Sequence, residues 1–167
     1  MNRLKKQIIS GIITFSMILT ILPMSAFAIN ENPLLEAPIS GTCGDNLVWN
    51  FDSLTGKLTI DGTGYMVDYD DGFLKPSAPW HLYCSQIQSI VVGDEVTSIG
   101  TYAFADCSHI ASIVIPDNVT SIGEYAFLDC TNLSSIIISD NVTKIESNVF
   151  SGCNNLSNVT ISDDLAY

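Results

Sequence analysis

Apolar and polar positions follow one repeated phrase over residues 96–164. Val96-Thr97-Ser98-Ile99-Gly100 returns as Val119-Thr120-Ser121-Ile122-Gly123, and then as Val142-Thr143-Lys144-Ile145-Glu146. A small residue and a Phe follow each time (Ala103-Phe104, Ala126-Phe127, Val149-Phe150), then a Cys (Cys107, Cys130, Cys153). Apolar runs over 110–115, 133–138 and 156–161 complete the three units. Every landmark recurs at 23 residues and Leu165 opens a further round. A fixed period of about 20 to 50 residues marks a solenoid.

Within each apolar run the period drops to two. In Leu133-Ser134-Ser135-Ile136-Ile137-Ile138, Ile136 and Ile138 point to one face of a strand. Stacked turns lay such strands about 4.8 Å apart as a parallel sheet. Ile113, Ile136 and Val159 are then expected to form one buried column, and Ile115, Ile138 and Ile161 the next. Phe104, Phe127 and Phe150 fill the opposite wall. No single turn buries its apolar face alone, so stability resides at the interfaces between turns. The outward positions Val91, Val114, Ile137 and Thr160 should line up as an exposed stripe flanked by Ser89, Ser112, Ser135 and Asn158. A contiguous apolar stripe can serve as an interaction site, although β-branched residues also simply suit strands. Both readings stand at this point.

The phrase Ile99-Gly100-Thr101-Tyr102-Ala103-Phe104-Ala105-Asp106-Cys107-Ser108-His109-Ile110-Ala111-Ser112-Ile113-Val114-Ile115-Pro116 resembles the BspA-like leucine-rich repeats of bacterial surface proteins. Three near-complete copies cover about half of the chain. Departures are few: Glu146 replaces the Gly, Val149 the Ala, and Ser139 and Ser162 the Pro. The resemblance implies an α/β-type solenoid, mostly β, with 23-residue turns and a parallel sheet on one face. It also implies a role in adhesion or binding.

Upstream, Arg3, Lys5 and Lys6 precede an apolar stretch from Ile8 to Leu22 and then Ala26-Phe27-Ala28. These are the basic, apolar and cleavage segments of a secretory signal peptide, so residues 1–28 read as an export signal. The expected location is secreted or bacterial cell surface. After residue 28 only Lys57, Lys75 and Lys144 oppose all 18 acidic residues. That balance argues against nucleic acid, and against an anionic membrane surface once the signal is removed.

Residues 29–40, with Pro33 and Pro38, read as a flexible leader, and 41–83 as an N-terminal cap with its linker. In the cap, Leu47–Phe51 and Lys57–Ile60 flank the turn Asp52-Ser53-Leu54-Thr55-Gly56, which predicts a β-hairpin. Gly62-Thr63-Gly64 lacks the rest of any phosphate-loop fingerprint and reads as a strand end. Asp68-Tyr69-Asp70-Asp71-Gly72 is carboxylate-rich but lacks calcium-loop spacing. Pro79 is placed to open a short helical turn, with Trp80, Leu82 and Tyr83 supplying the bulk that Ala-Phe supplies later. Cys84-Ser85-Gln86-Ile87-Gln88-Ser89-Ile90 aligns with Cys107–Ile113, so a half-repeat begins at 84. Full repeats span 96–118, 119–141 and 142–164, and another starts at 165.

Cys84, Cys107, Cys130 and Cys153 occupy one position of successive turns, with Cys43 apart in the cap. A turn rise of about 4.8 Å exceeds the usual Cβ separation of a bridge, so a buried ladder of free thiols is expected. A Cys43–Cys84 bond is conceivable but has no support in the sequence. Single cysteines 23 residues apart do not form a zinc site. The only histidines are His81 and His109, and no H-E-x-x-H, G-x-S-x-G or P-loop occurs. No catalytic, cofactor or metal residues are assigned. Two readings remain: a module binding a protein or glycan ligand at the cell surface or extracellular matrix, or a structural spacer within a larger envelope protein. The C-terminal edge of the stack is a second sticky surface, through which copies are expected to self-associate.

Overall fold

The computed structural model describes residues 39–70 and 77–162, all within the unit Glu36–Tyr167. The signal-peptide stretch and residues 29–38 of the leader lie outside the described residues. Strand β1 (Ile39–Thr42) begins inside the segment read as leader and pairs antiparallel with β2 (Leu47–Asp52). The expected hairpin joins β2 to β3 (Lys57–Gly62). Its turn is fastened by Asp52, whose carboxylate accepts hydrogen bonds from Leu54 N (2.9 Å) and Thr55 Oγ1 (2.7 Å). Gly56 adopts φ +66° there, a left-handed conformation natural for glycine. Gly62 ends β3 and Gly64 starts β4 (Gly64–Tyr65), so this glycine pair is a strand boundary, as expected.

The hairpin does more than cover an end. Strand β3 runs parallel to β5 (Ser89–Val92), with Leu58 opposite Ile90 and Ile60 opposite Val92. The cap therefore supplies the first strand of the solenoid sheet. Beyond β5, one strand per turn follows in the same position: β7 (Ser112–Ile115), β9 (Ser135–Ser139) and β11 (Asn158–Ser162). Ile113 pairs with Ile136 and Ile136 with Val159, in the predicted register. A second parallel ladder, built from the V-T-S-I phrase, joins β4 to β6 (Val96–Ile99), β8 (Ser121–Ile122) and β10 (Lys144–Ile145). The solenoid is mostly β. The only helical element among the described residues is the 3-10 turn His81–Tyr83, just after Pro79.

Between the two ladders lies the core. Trp80, Phe104, Phe127 and Phe150 stack in one column, with ring centroids 5.9, 5.5 and 5.8 Å apart. Trp80 thus takes the place of the missing Phe of the half-repeat. Leu82 does not share that role, because it is 83% exposed, and Tyr83 turns instead to stack on Phe51. Gly100 and Gly123 let successive turns approach closely: a Cβ on Gly123 would lie 2.5 Å from Thr101 N.

The aliphatic columns are buried through Ile136 and Ile138 but not to the end. Val159 is 51% and Ile161 60% exposed, contrary to the expectation that every member is covered. Each turn is buried by its neighbours on both sides, and these residues lie in the last described turn. Ile145 on the other ladder is 47% exposed for the same reason.

Candidate interaction face

The outward stripe assembles unevenly. Val114, Ile137 and Thr160 are register partners on β7, β9 and β11. Val91 is paired instead with Thr59 of the cap, across β3 and β5. Val91 and Thr160 are exposed, whereas Val114 and Ile137 are half-buried. The flanking Ser89, Ser112 and Asn158 are exposed and Ser135 is half-buried.

The break between Val91 and Val114 coincides with a change in the chain. Strand β5 ends one hydrogen-bonded sheet and β7 begins another. At the end of β5, Gly93 N donates to Ile60 O of the cap at 2.8 Å. The same position one turn later is Pro116, which has no N–H to donate towards β5. In the following turns the position is Ser139 and Ser162, and these pair with each other inside strands one residue longer than β7.

A groove of about 820 Å³ occupies the break. Val91 and Val114 line it with Ser89 and Ser112, while Asp94 and Asp117 provide carboxylates. Asn118 Nδ2 donates to Asp94 O at 2.6 Å and ties its rim together. The site combines apolar strand side chains, ladder positions left open by the missing pairing, and two acceptors of negative charge. Asp94, Asp117 and the groove itself were not singled out by the sequence reading.

The cysteine column departs from the expected ladder of free thiols. It is buried and stacked, but Cys84 and Cys107 are joined by a disulfide. Their Cα atoms lie 4.3 Å apart, closer than the strand spacing on which the expectation rested. Cys43, Cys130 and Cys153 are free, so no Cys43–Cys84 bond forms. The Cys130 and Cys153 thiols donate to Phe104 O (3.1 Å) and Phe127 O (3.0 Å), equivalent carbonyls one turn apart. Burial pushes the Cys43 thiol up to about 12. Nearby Tyr69 is raised in the same sense, first by burial and then by Cys43. Asp68 is engaged structurally, its carboxylate accepting from Thr101 N at 2.9 Å. His109 is exposed, with Nδ1 3.3 Å from Ser108 Oγ.

Residues 81–167 match the BspA type leucine rich repeat region (6 copies), just over half of the chain. The chain therefore belongs to the BspA-type leucine-rich repeat family. Among solved structures it is similar to a leucine-rich repeat protein from Eubacterium ventriosum, at 21% identity over 76% of this chain, with a TM-score of 0.50. It also aligns with a leucine rich cell surface protein from Faecalibacterium prausnitzii, at 22% identity over 74% of this chain, with a TM-score of 0.47. The aligned region spans 45% and 40% of those two chains, less than half of either. The first likeness supports the repeat fold alone. No curated protein matches this sequence.

Proposed function

We propose that this chain is a non-enzymatic, extracellular bacterial leucine-rich repeat protein that binds a protein or glycan ligand through the outward sheet face. The observation that carries the reading is the groove between β5 and β7, walled by Val91 and Val114 and rimmed by Asp94 and Asp117. Such a site offers an apolar surface for a sugar ring face or an aliphatic side chain. Its carboxylates accept hydrogen bonds from sugar hydroxyls or from Lys and Arg. Ile137 and Thr160 continue the face beyond the groove. An extracellular setting is supported by the signal-like segment at residues 1–28 and by the strongly acidic composition.

The test is a screen of the purified chain against a glycan array and a panel of extracellular-matrix proteins, repeated with the double variant Val114→Thr/Ile137→Thr. This variant keeps strand propensity while removing apolar surface. Binding by the wild type that is lost in the variant supports the reading. Undiminished binding by the variant refutes the stripe, and no binding to either set favours a structural spacer.

A further inference from the structure

We propose that Cys130 and Cys153 form a second oxidisable pair, taking up the oxidising equivalents of a small-molecule disulfide and closing a bridge across the last two described turns. Four cysteines stand in one column, and its first two members are already bridged across a turn boundary. Cys130 and Cys153 repeat the same relationship, 23 residues apart on consecutive turns. Their thiols donate to equivalent carbonyls of Phe104 and Phe127, which aligns the two sulfurs along the column. Once Cys84 and Cys107 are joined, the remaining neighbours in the column are these two.

The pair is asymmetric in a useful way. Cys130 is fully buried, whereas Cys153 is 9% exposed near the end of the described stack. The neighbouring Cys130 holds the Cys153 thiol below its ordinary range, while the Cys130 thiol is raised, first by its neighbour Cys153 and then by burial. The less deeply buried cysteine of the pair is therefore the one more readily present as thiolate, the attacking form. Cys153, after losing its proton, attacks one sulfur of the external disulfide, forming a mixed disulfide and releasing one thiolate. Cys130 passes its proton to that thiolate and attacks Cys153 Sγ, breaking the mixed disulfide and releasing a second thiolate. This thiolate takes up the proton first lost by Cys153. Two protein thiols are oxidised to one disulfide, and one external disulfide is reduced to two thiols. The bridge would tie down the turn whose apolar residues are least covered.

The experiment incubates the natively folded full chain with oxidised glutathione, alkylates remaining thiols in denaturant, and maps disulfides by mass spectrometry without reduction. The expected wild-type product carries Cys84–Cys107 and Cys130–Cys153, with Cys43 alkylated. Cys130→Ser should halt at a glutathione mixed disulfide on Cys153, and Cys153→Ser should leave Cys130 unmodified. Full alkylation of Cys130 and Cys153 in the wild type, or a Cys107–Cys130 bridge, overturns the proposal. A mixed disulfide on Cys130 in Cys153→Ser overturns the assignment of Cys153 as the attacking thiol.

Discussion

The indole N–H of Trp80 donates to Ala103 O at 2.8 Å in a fully buried setting, while the Trp80 ring stacks on Phe104. One side chain thereby satisfies a carbonyl of the first full repeat and starts the aromatic column that continues through Phe104, Phe127 and Phe150. Trp80→Phe keeps an aromatic ring but leaves Ala103 O without its indole donor. A buried group so orphaned costs about 1–3 kcal/mol. Urea unfolding of the variant should show that loss, and a midpoint equal to that of the wild type would show the bond to be dispensable.

Phe127 lies between Phe104 and Phe150 and is fully buried, whereas Phe150 is only partly buried. Phe127→Ala should therefore cost about 3–5 kcal/mol through the cavity it leaves. Phe150→Ala should cost distinctly less, because less of its surface is removed from water on folding. Equal losses in denaturant titrations would contradict the gradient of burial along the stack.

What the sequence disclosed follows from which interactions repeat. The Phe column, the register of Ile113 on Ile136 and the hairpin at Asp52 each depend on short-range periodicity, and all three were legible. Features set by a single residue were harder to read. Pro116 differs from Ser139 by one lost N–H, yet it coincides with the break that opens the groove. The Cys84–Cys107 bond required the local approach of two Cα atoms, which an average turn rise conceals. The V-T-S-I phrase was seen as a landmark but not as a second ladder, since its later copies form strands only two residues long. Exposure of Val159 and Ile161 reflects position in the stack rather than residue type.

The Cys84–Cys107 bond closes a loop of 23 residues. Chain-entropy reasoning gives such a crosslink about 3 kcal/mol of stabilisation. Denatured protein that has met neither reductant nor added oxidant should be alkylated at Cys43, Cys130 and Cys153 only. Adding reductant should expose all five cysteines and lower the unfolding midpoint. Labelling of all five without reductant would remove the bridge from the account.

Cys43 provides an alkaline signature. Its folded thiol is raised from 9.0 to about 12 by burial, so the unfolded chain loses this proton first as pH rises. Its contribution to stability is fully present below the unfolded value of 9.0 and declines as pH climbs towards about 12. Cys43→Ala should flatten the fall in stability over that window, although Tyr69 retains a contribution of the same sign. An unchanged alkaline profile by thermal melts at stepped pH would place Cys43 in water rather than in the cap core.

The groove is the feature on which the binding account rests, and amide hydrogen exchange tests it residue by residue. Ser89 N donates to Gly56 O of the cap, and Ser135 N to Ala111 O of the preceding turn. Alternation along a parallel strand then directs the amides of Val91 and Ile137 to the same respective neighbours. The equivalent amide on β7, that of Val114, faces β5 across the interrupted ladder. Exchange followed by NMR should show Val91 and Ile137 strongly protected and Val114 exchanging many times faster. Val114 protected as well as Ile137 would mean that the ladder is continuous and that the proposed binding groove does not exist.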